Sequence, residues 1–356
     1  MQKTNYTLKE SAITFIFILI AVFSVSIFMS NLLGVVSATT QTDIAIVATY
    51  SWINYLNMGL SSLVFVLVYI ILNGVKKKDF VVASKLKFKF DLKIFFGVVV
   101  LAAVVMFASI NSTGIFNYAF SKLTSKTLTN SLAVSMNTFW EFLIVVLLLA
   151  VMPAICEELI FRGIIYNGLR QKFSALFSIL ISAGLFTLIH FSIYQTFFQF
   201  ILGVVLALIV HYTGNIVYGM VYHFVNNFII ILFNYISPNK ALFEFTTWGA
   251  KEIILSIIFM LIGAAVAYLF FKILKSYAQK HKNYFKIEIT NDPLEEVLTD
   301  EEKLENQNID VKKLSSYDKK LLLNEEGKFV SDKGLLFIGF VCALLIWSFN
   351  SFGGFI

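Results

Sequence analysis

Charge is scarce in this chain: of 356 residues only 14% are Asp, Glu, Lys or Arg, while 58% are hydrophobic. Soluble domains carry about 25% charged and roughly half apolar residues. The sequence therefore lacks the side chains needed to coat a globule in water, and a polytopic membrane protein is expected instead. Cysteine is sparser still, with Cys156 and Cys342 alone. They stand in separate apolar runs without CxxC or zinc-ribbon spacing, which argues against a disulfide framework and a cysteine metal cage. Both are expected to be buried, reduced thiols. Cys156 has no histidine close in sequence and reads as a small hydrophobe, not a nucleophile. The net charge of +6 records loop basicity and points to no nucleic-acid partner.

What is present in abundance is apolar runs. A helix needs about 20 apolar residues to cross the hydrocarbon. Nine candidates satisfy or approach this, near 12–36, 52–73, 94–110, 137–158, 174–192, 195–212, 214–236, 252–275 and 335–354. The first is too long for a signal-peptide core of about 7–15 residues and reads as a retained span. The expected fold class is all-α, a polytopic transmembrane helix bundle of about 8–9 spans. Lysine and arginine set its orientation. GVKKKDFVVASKLKFKFDLK after the second span holds seven lysines, and Arg162, Arg170 and Lys172 follow the fourth. The eighth span runs into KILKSYAQKHKNYFK, whereas SATTQTDIAIVATYS after the first has no basic residue. Alternation then places the N-terminus in the cytoplasm and the C-terminus outside. The chain divides into N-terminal spans (1–110), a catalytic-type membrane core (111–275), a cytoplasmic polar insert (276–334) and a last span (335–356). Residues 286–334 are mixed-charge and aromatic-poor, as expected of a partly helical or flexible insert.

Ionisable groups inside hydrocarbon are costly, about 2.5–3.5 kcal/mol at mid-helix, so each asks for a partner or water. Three clusters stand out. CEELIFRG holds Glu157, Glu158 and Arg162. AGLFTLIHFS holds His190. GMVYHFVNNFII holds His223, Asn226 and Asn227. Glu158 and Arg162 are four apart and pair on one helical face, while Glu157 points about 100° away. The carboxylates thus split into a structural acid and an available one. Pro153 just upstream can open the backbone. His223 and Asn227 share a face and can aim two donors at one point; Asn226 faces elsewhere and can bond a backbone group or another helix. His211 and His281 are expected to be interfacial or solvated. Alternation puts His190 toward the outer half and Glu157 toward the inner end, which opposes a direct meeting in straight spans.

A carboxylate and an imidazole can activate water as a general base, and a histidine with an asparagine can stabilise a tetrahedral oxyanion. The same Glu157, His190 and His223 could instead ligate zinc, although HExxH is absent. Asn227 is a poor zinc ligand and a good oxyanion donor, which favours a reading without a metal cofactor.

EExxxR (Glu157, Glu158, Arg162), FxxxH (Phe186, His190) and HxxxN (His223, Asn227), in order across roughly 130–235, resemble the CAAX prenyl protease and bacteriocin-processing family, also called CPBP or Abi. The resemblance implies an intramembrane endopeptidase with a conical cavity open to the cytoplasm and to lipid. It implies that Glu157 and His190 activate water, that His223 and Asn227 bind the oxyanion, and that Glu158, Arg162 and Phe186 support them. The family is often labelled metalloprotease. The Phe-, Ile-, Asn- and Lys-rich composition looks like that of a low-GC bacterium, which implies a bacterial plasma membrane and a peptide or membrane-protein substrate instead of a prenylated one. Some relatives are linked to bacteriocin maturation or self-immunity. A proton-coupled transporter could use the same buried groups as a relay, but no second EExxxR half is found. A non-catalytic immunity or binding scaffold is the other alternative. The GxGD and GxSG patterns of other intramembrane proteases are missing.

Overall fold

The computed structural model describes residues 6–76, 79–87, 91–125, 136–237, 248–281 and 326–352. These are helical and contain no strand. Apart from two single-turn helices, Ile44–Val47 and Phe80–Ala83, the helices are α1 (Leu8–Thr40), α2 (Ser51–Lys76), α3 (Leu92–Thr124), α4 (Phe139–Leu169), α5 (Ala175–Leu188), α6 (Thr196–Thr213), α7 (Ile216–Ile236), α8 (Ala250–Lys280) and α9 (Glu326–Phe352). Seven of them are long and apolar enough to cross a membrane; α5 and the apolar part of α9, Lys333–Ser348, are shorter. The protein is an integral membrane helix bundle, as the apolar runs require.

Caps explain several boundaries. Thr7 and Glu10 form a capping box at the start of α1, and Thr138 and Glu141 form another at the start of α4. Glu141 is thus no intramembrane acid: its carboxylate accepts from the Asn137 and Thr138 N–H groups at 2.7 and 2.9 Å, satisfying donors that every helix start leaves open. Helix α3 runs 14 residues past the sequence-based end at 110, through the polar INST. Ser109, Asn111, Ser112 and Thr113 do not stop it because each side chain donates to a backbone carbonyl three or four residues earlier, at 2.7–3.0 Å. Asn111 also accepts from Ser256 of α8 at 3.0 Å. Between lipid-embedded helices such bonds and small-residue contacts replace the hydrophobic effect as glue.

One end of the bundle gathers the basic links. Tyr6 donates to Asn73 at 2.6 Å, Ser11 of α1 donates to the Ile164 carbonyl of α4 at 3.1 Å, and the Asp91 N–H donates to Tyr218 of α7 at 2.6 Å. Tyr277, near the end of α8, donates to Asp91 at 2.6 Å, and Lys333 of α9 lies 5.7 Å from the Phe173 ring in the link after α4. The start of α1, the ends of α2, α4, α6 and α8, and the start of the apolar part of α9 therefore share one end, as charge alternation expects. The polar insert lies largely outside the described residues; α8 and α9 run into its two margins. Cys156 is buried, but Cys342 is exposed, contrary to expectation. Helix α9 packs mainly on α1, where Gly339 faces Phe15 and Ile16; Ala343 is buried while its neighbour Cys342 is exposed.

The main core includes Phe15 and Ile18 of α1, Leu101 of α3, Ile160 and Phe161 of α4, and Leu206 of α6. A second cluster, Phe142, Val145, Ala150 and Ile231, joins the first half of α4 to the second half of α7. The polar residues of α4 and α7 lie along the helices between these two clusters.

Candidate active site

Helix α4 is not a regular α-helix. It widens to π-helical turns at Leu147–Val151 and Leu159–Tyr166, on both sides of Met152–Glu158. Pro153 supplies a local reason for the first. It has no N–H, so the carbonyl four residues earlier, Leu149, loses its α-helical donor. Asn227 of α7 takes that place, with Nδ2 donating to the Leu149 carbonyl at 2.9 Å. π-Turns of this kind occur often where a helix carries functional groups. Asn226, the neighbour, donates Nδ2 to Asn227 Oδ1 at 3.2 Å.

The expected pairing of Glu158 with Arg162 is present: Arg162 Nη1 donates to Glu158 Oε1 at 2.8 Å, and both side chains are 0% exposed. Arg162 Nη2 donates to the Gly203 carbonyl of α6 at 2.9 Å, and its guanidinium stands 4.7 Å from the Phe186 ring centre. Gly203 can present that carbonyl because a Cβ there would come within 2.9 Å of the Ala183 backbone of α5. Glu158 has a further role that sequence spacing did not show. Its Oε1 lies 3.2 Å from His223 Nδ1. A carboxylate only accepts, so His223 Nδ1 carries the hydrogen. A Cβ on Gly219 would sit 3.1 Å from Glu158 Oε2, so the missing side chain makes room for this clamp. Gly219, His223 and Asn227 recur every fourth residue of α7; that stripe was the available signal.

Glu157 is the freer acid. Its side chain is 15% exposed, and Oε2 lies 4.0 Å from His223 Nε2. Oε2 has no hydrogen-bond partner among the described residues.

His190 reaches this level because α5 is short. Its 14 residues span about 21 Å, less than the hydrocarbon's roughly 30 Å. His190 therefore lies at the end of a helix that stops within the membrane, which removes the depth conflict. Its Nδ1 is 2.8 Å from the Phe186 carbonyl, so Nδ1 carries the hydrogen and the neutral ring keeps its lone pair on Nε2. Phe186 ties the set together, with ring centres 4.9 Å from His190 and 6.0 Å from His223. His211 is not simply solvated: its Nδ1 is 2.9 Å from Tyr166 Oη. His281 stacks on Tyr277 at 4.2 Å. Among the described residues, no three His, Cys, Asp or Glu side chains form a metal-holding group.

The helix bundle thus carries a buried Glu–Arg–His clamp beside a freer glutamate. Residues 139–229 match the family described as type II CAAX prenyl endopeptidase Rce1-like. The match covers all three motifs. No curated protein and no solved structure matches the chain.

Proposed function

We propose that the protein is an intramembrane endopeptidase that hydrolyses a peptide bond of a membrane-associated peptide or protein, with Glu157 as general base. The observation that carries this reading is the division of labour between adjacent acids. Glu158 is fully buried and bonded through Oε1 to Arg162 and His223, while Glu157 is partly exposed, and its Oε2 lies 4.0 Å from His223 Nε2 and takes no protein hydrogen bond among the described residues. A water at about 2.8 Å from both Glu157 Oε2 and His223 Nε2 can span their separation. Glu157 takes a proton as the water oxygen attacks the carbonyl carbon. The carbonyl π electrons move to oxygen, and the oxyanion collapses to break the C–N bond. Glu157 then returns the proton to the leaving amine. His190, with its Nε2 lone pair, accepts a hydrogen bond from the same water. His223 donates to the oxyanion from Nε2 only as the doubly protonated ring, since Nδ1–H already serves Glu158. With that proton, Glu157, Glu158, Arg162 and His223 sum to zero charge, which suits a low-dielectric site. Asn227 Nδ2 keeps one hydrogen for the oxyanion beyond the one given to Leu149.

The basic end of the bundle faces the cytoplasm in this reading, in a bacterial plasma membrane. The experiment is cleavage of a peptide library by the purified protein in liposomes, with and without chelator. Cleavage unchanged by chelator is expected. Loss in chelator, restored by zinc, would replace the glutamate-base route with a metal site.

Gly219→Ala is expected to lower kcat about tenfold, because sub-ångström displacement of a positioned group already erodes rate. Thermal stability should fall little: the crowding costs about 1–3 kcal/mol and the gain in helix propensity of about 1 kcal/mol opposes it. Initial rates and a melting curve on the same preparation check both parts. An unchanged kcat would remove the clamp from the mechanism.

A further inference from the structure

Asn226 is 1% exposed, on one of the helices long and apolar enough to cross the membrane. An amide withdrawn from water is costly unless it is bonded, and in a membrane bundle it commonly bonds another helix. Asn226 does otherwise. Among the described residues its side chain bonds Asn227, the next residue of α7, at 3.2 Å. Neighbouring side chains on a helix point about 100° apart and do not ordinarily face each other. The two amides are turned together all the same.

The direction of each bond follows from the chemistry of its atoms. Pro153 has no N–H, and the Leu149 carbonyl it leaves open can only accept. The Asn227 atom 2.9 Å from that oxygen is therefore Nδ2, and Oδ1 is the other end of the same amide. That oxygen accepts, so the Asn226 atom that meets it is Nδ2. Reversing either amide would set oxygen against oxygen. One bond holds a single point of the Asn227 side chain. Two bonds, made at its opposite ends, hold the plane of the amide. The second hydrogen on Asn227 Nδ2 lies in that plane, so Leu149 and Asn226 together set its direction.

We propose that Asn226 is a positioning residue, which holds the Asn227 amide in the plane that aims its second N–H at the oxyanion. The inference rests on the endopeptidase reading above, in which Asn227 is a donor to that oxyanion. Asn226 itself needs no contact with substrate. An oxyanion donor is effective because it stands ready where charge develops and need not reorganise; an amide held at one end only would lose part of that readiness.

The test is kcat and KM in liposomes, with melting curves in detergent, for the wild type, Asn226→Ala, Asn227→Ala and the double variant. Asn226→Ala should lower kcat about tenfold with KM within roughly twofold, less than the loss of about 10²–10³ expected of Asn227→Ala, where a donor is removed outright. The double variant should be no slower than Asn227→Ala, because Asn226 then has nothing to aim. A wild-type kcat in Asn226→Ala, or the same loss from Asn226→Ala in both backgrounds, overturns the role. No cleavage by the wild type overturns the endopeptidase reading instead, and the four melting midpoints then decide the amide order: a joint loss smaller than the sum keeps it, and additive losses overturn it. Asn226→Asp keeps the size and reads the donor itself. The introduced carboxyl can donate to Asn227 Oδ1 only while protonated, so kcat relative to the wild type should be near one at acid pH and fall about tenfold as pH rises. Glu157, Glu158, Arg162, His190 and His223 are common to both proteins and cancel in that ratio. A ratio already low at acid pH overturns the proposal.

Discussion

Glu157→Gln is expected to lower the cleavage rate by a factor of about 10²–10⁴, the usual contribution of a positioned general base, while leaving the melting temperature within error of the wild type. The substitution keeps shape and removes only the capacity to take a proton. Stability should be spared because no protein donor reaches Glu157 Oε2 and the side chain keeps 15% exposure. Glu158→Gln makes the contrast. That carboxylate is fully buried, accepts from Arg162 at 2.8 Å and faces His223 at 3.2 Å, so its loss should lower stability and activity together. Rates in liposomes and melting curves in detergent, run on both variants, separate the two acids. Cleavage that survives Glu157→Gln would falsify the assignment of the base. Equal loss of stability in both variants would mean that the acids form one structural unit.

The parts of this site that were legible in the sequence are those set by the helical period. Glu158 and Arg162, and likewise His223 and Asn227, are four apart, and a four-residue step brings side chains onto one face whatever the tertiary fold. The nine apolar runs were legible for a similar reason, since crossing hydrocarbon demands length and apolarity. What was not legible depends on contacts between helices. His190 seemed too shallow because a span was assumed to cross fully, whereas α5 stops short. Glu158 was read as a partner of Arg162 only; its approach to His223 needs α7 to pack on α4 with Gly219 at the crossing. Asn227 was read as free to meet an oxyanion, but one of its hydrogens goes to the Leu149 carbonyl that Pro153 leaves open. Pro153 was noted for opening the backbone; that α7 would supply the substitute donor was beyond a one-dimensional reading. The end of α3 was misjudged because polar INST reads as a loop until each side chain is seen bonding back onto its own helix.

Arg162→Gln should be the most destabilising single change in the core, by about 3–5 kcal/mol, the cost of leaving one partner of a buried ion pair behind. The guanidinium serves three groups at once: Glu158 Oε1, the Gly203 carbonyl and the face of Phe186. Its removal leaves Glu158 charged and 0% exposed, with Glu157 adjacent and His223 as the remaining cation. Glutamine can still donate to one acceptor, so the loss measures mainly the charge. Adding Glu158→Gln should recover part of the stability, because a neutral pair no longer strands a carboxylate in low dielectric. The double variant should therefore be more stable than the sum of the two single losses by about 0.5–3 kcal/mol, the range for residues in one network. Activity should not return with it, since His223 would still lack the carboxylate that holds Nδ1. Melting curves for the wild type, the two single variants and the double variant complete the cycle, and strictly additive losses would show that Arg162 and Glu158 are stabilised independently despite their contact.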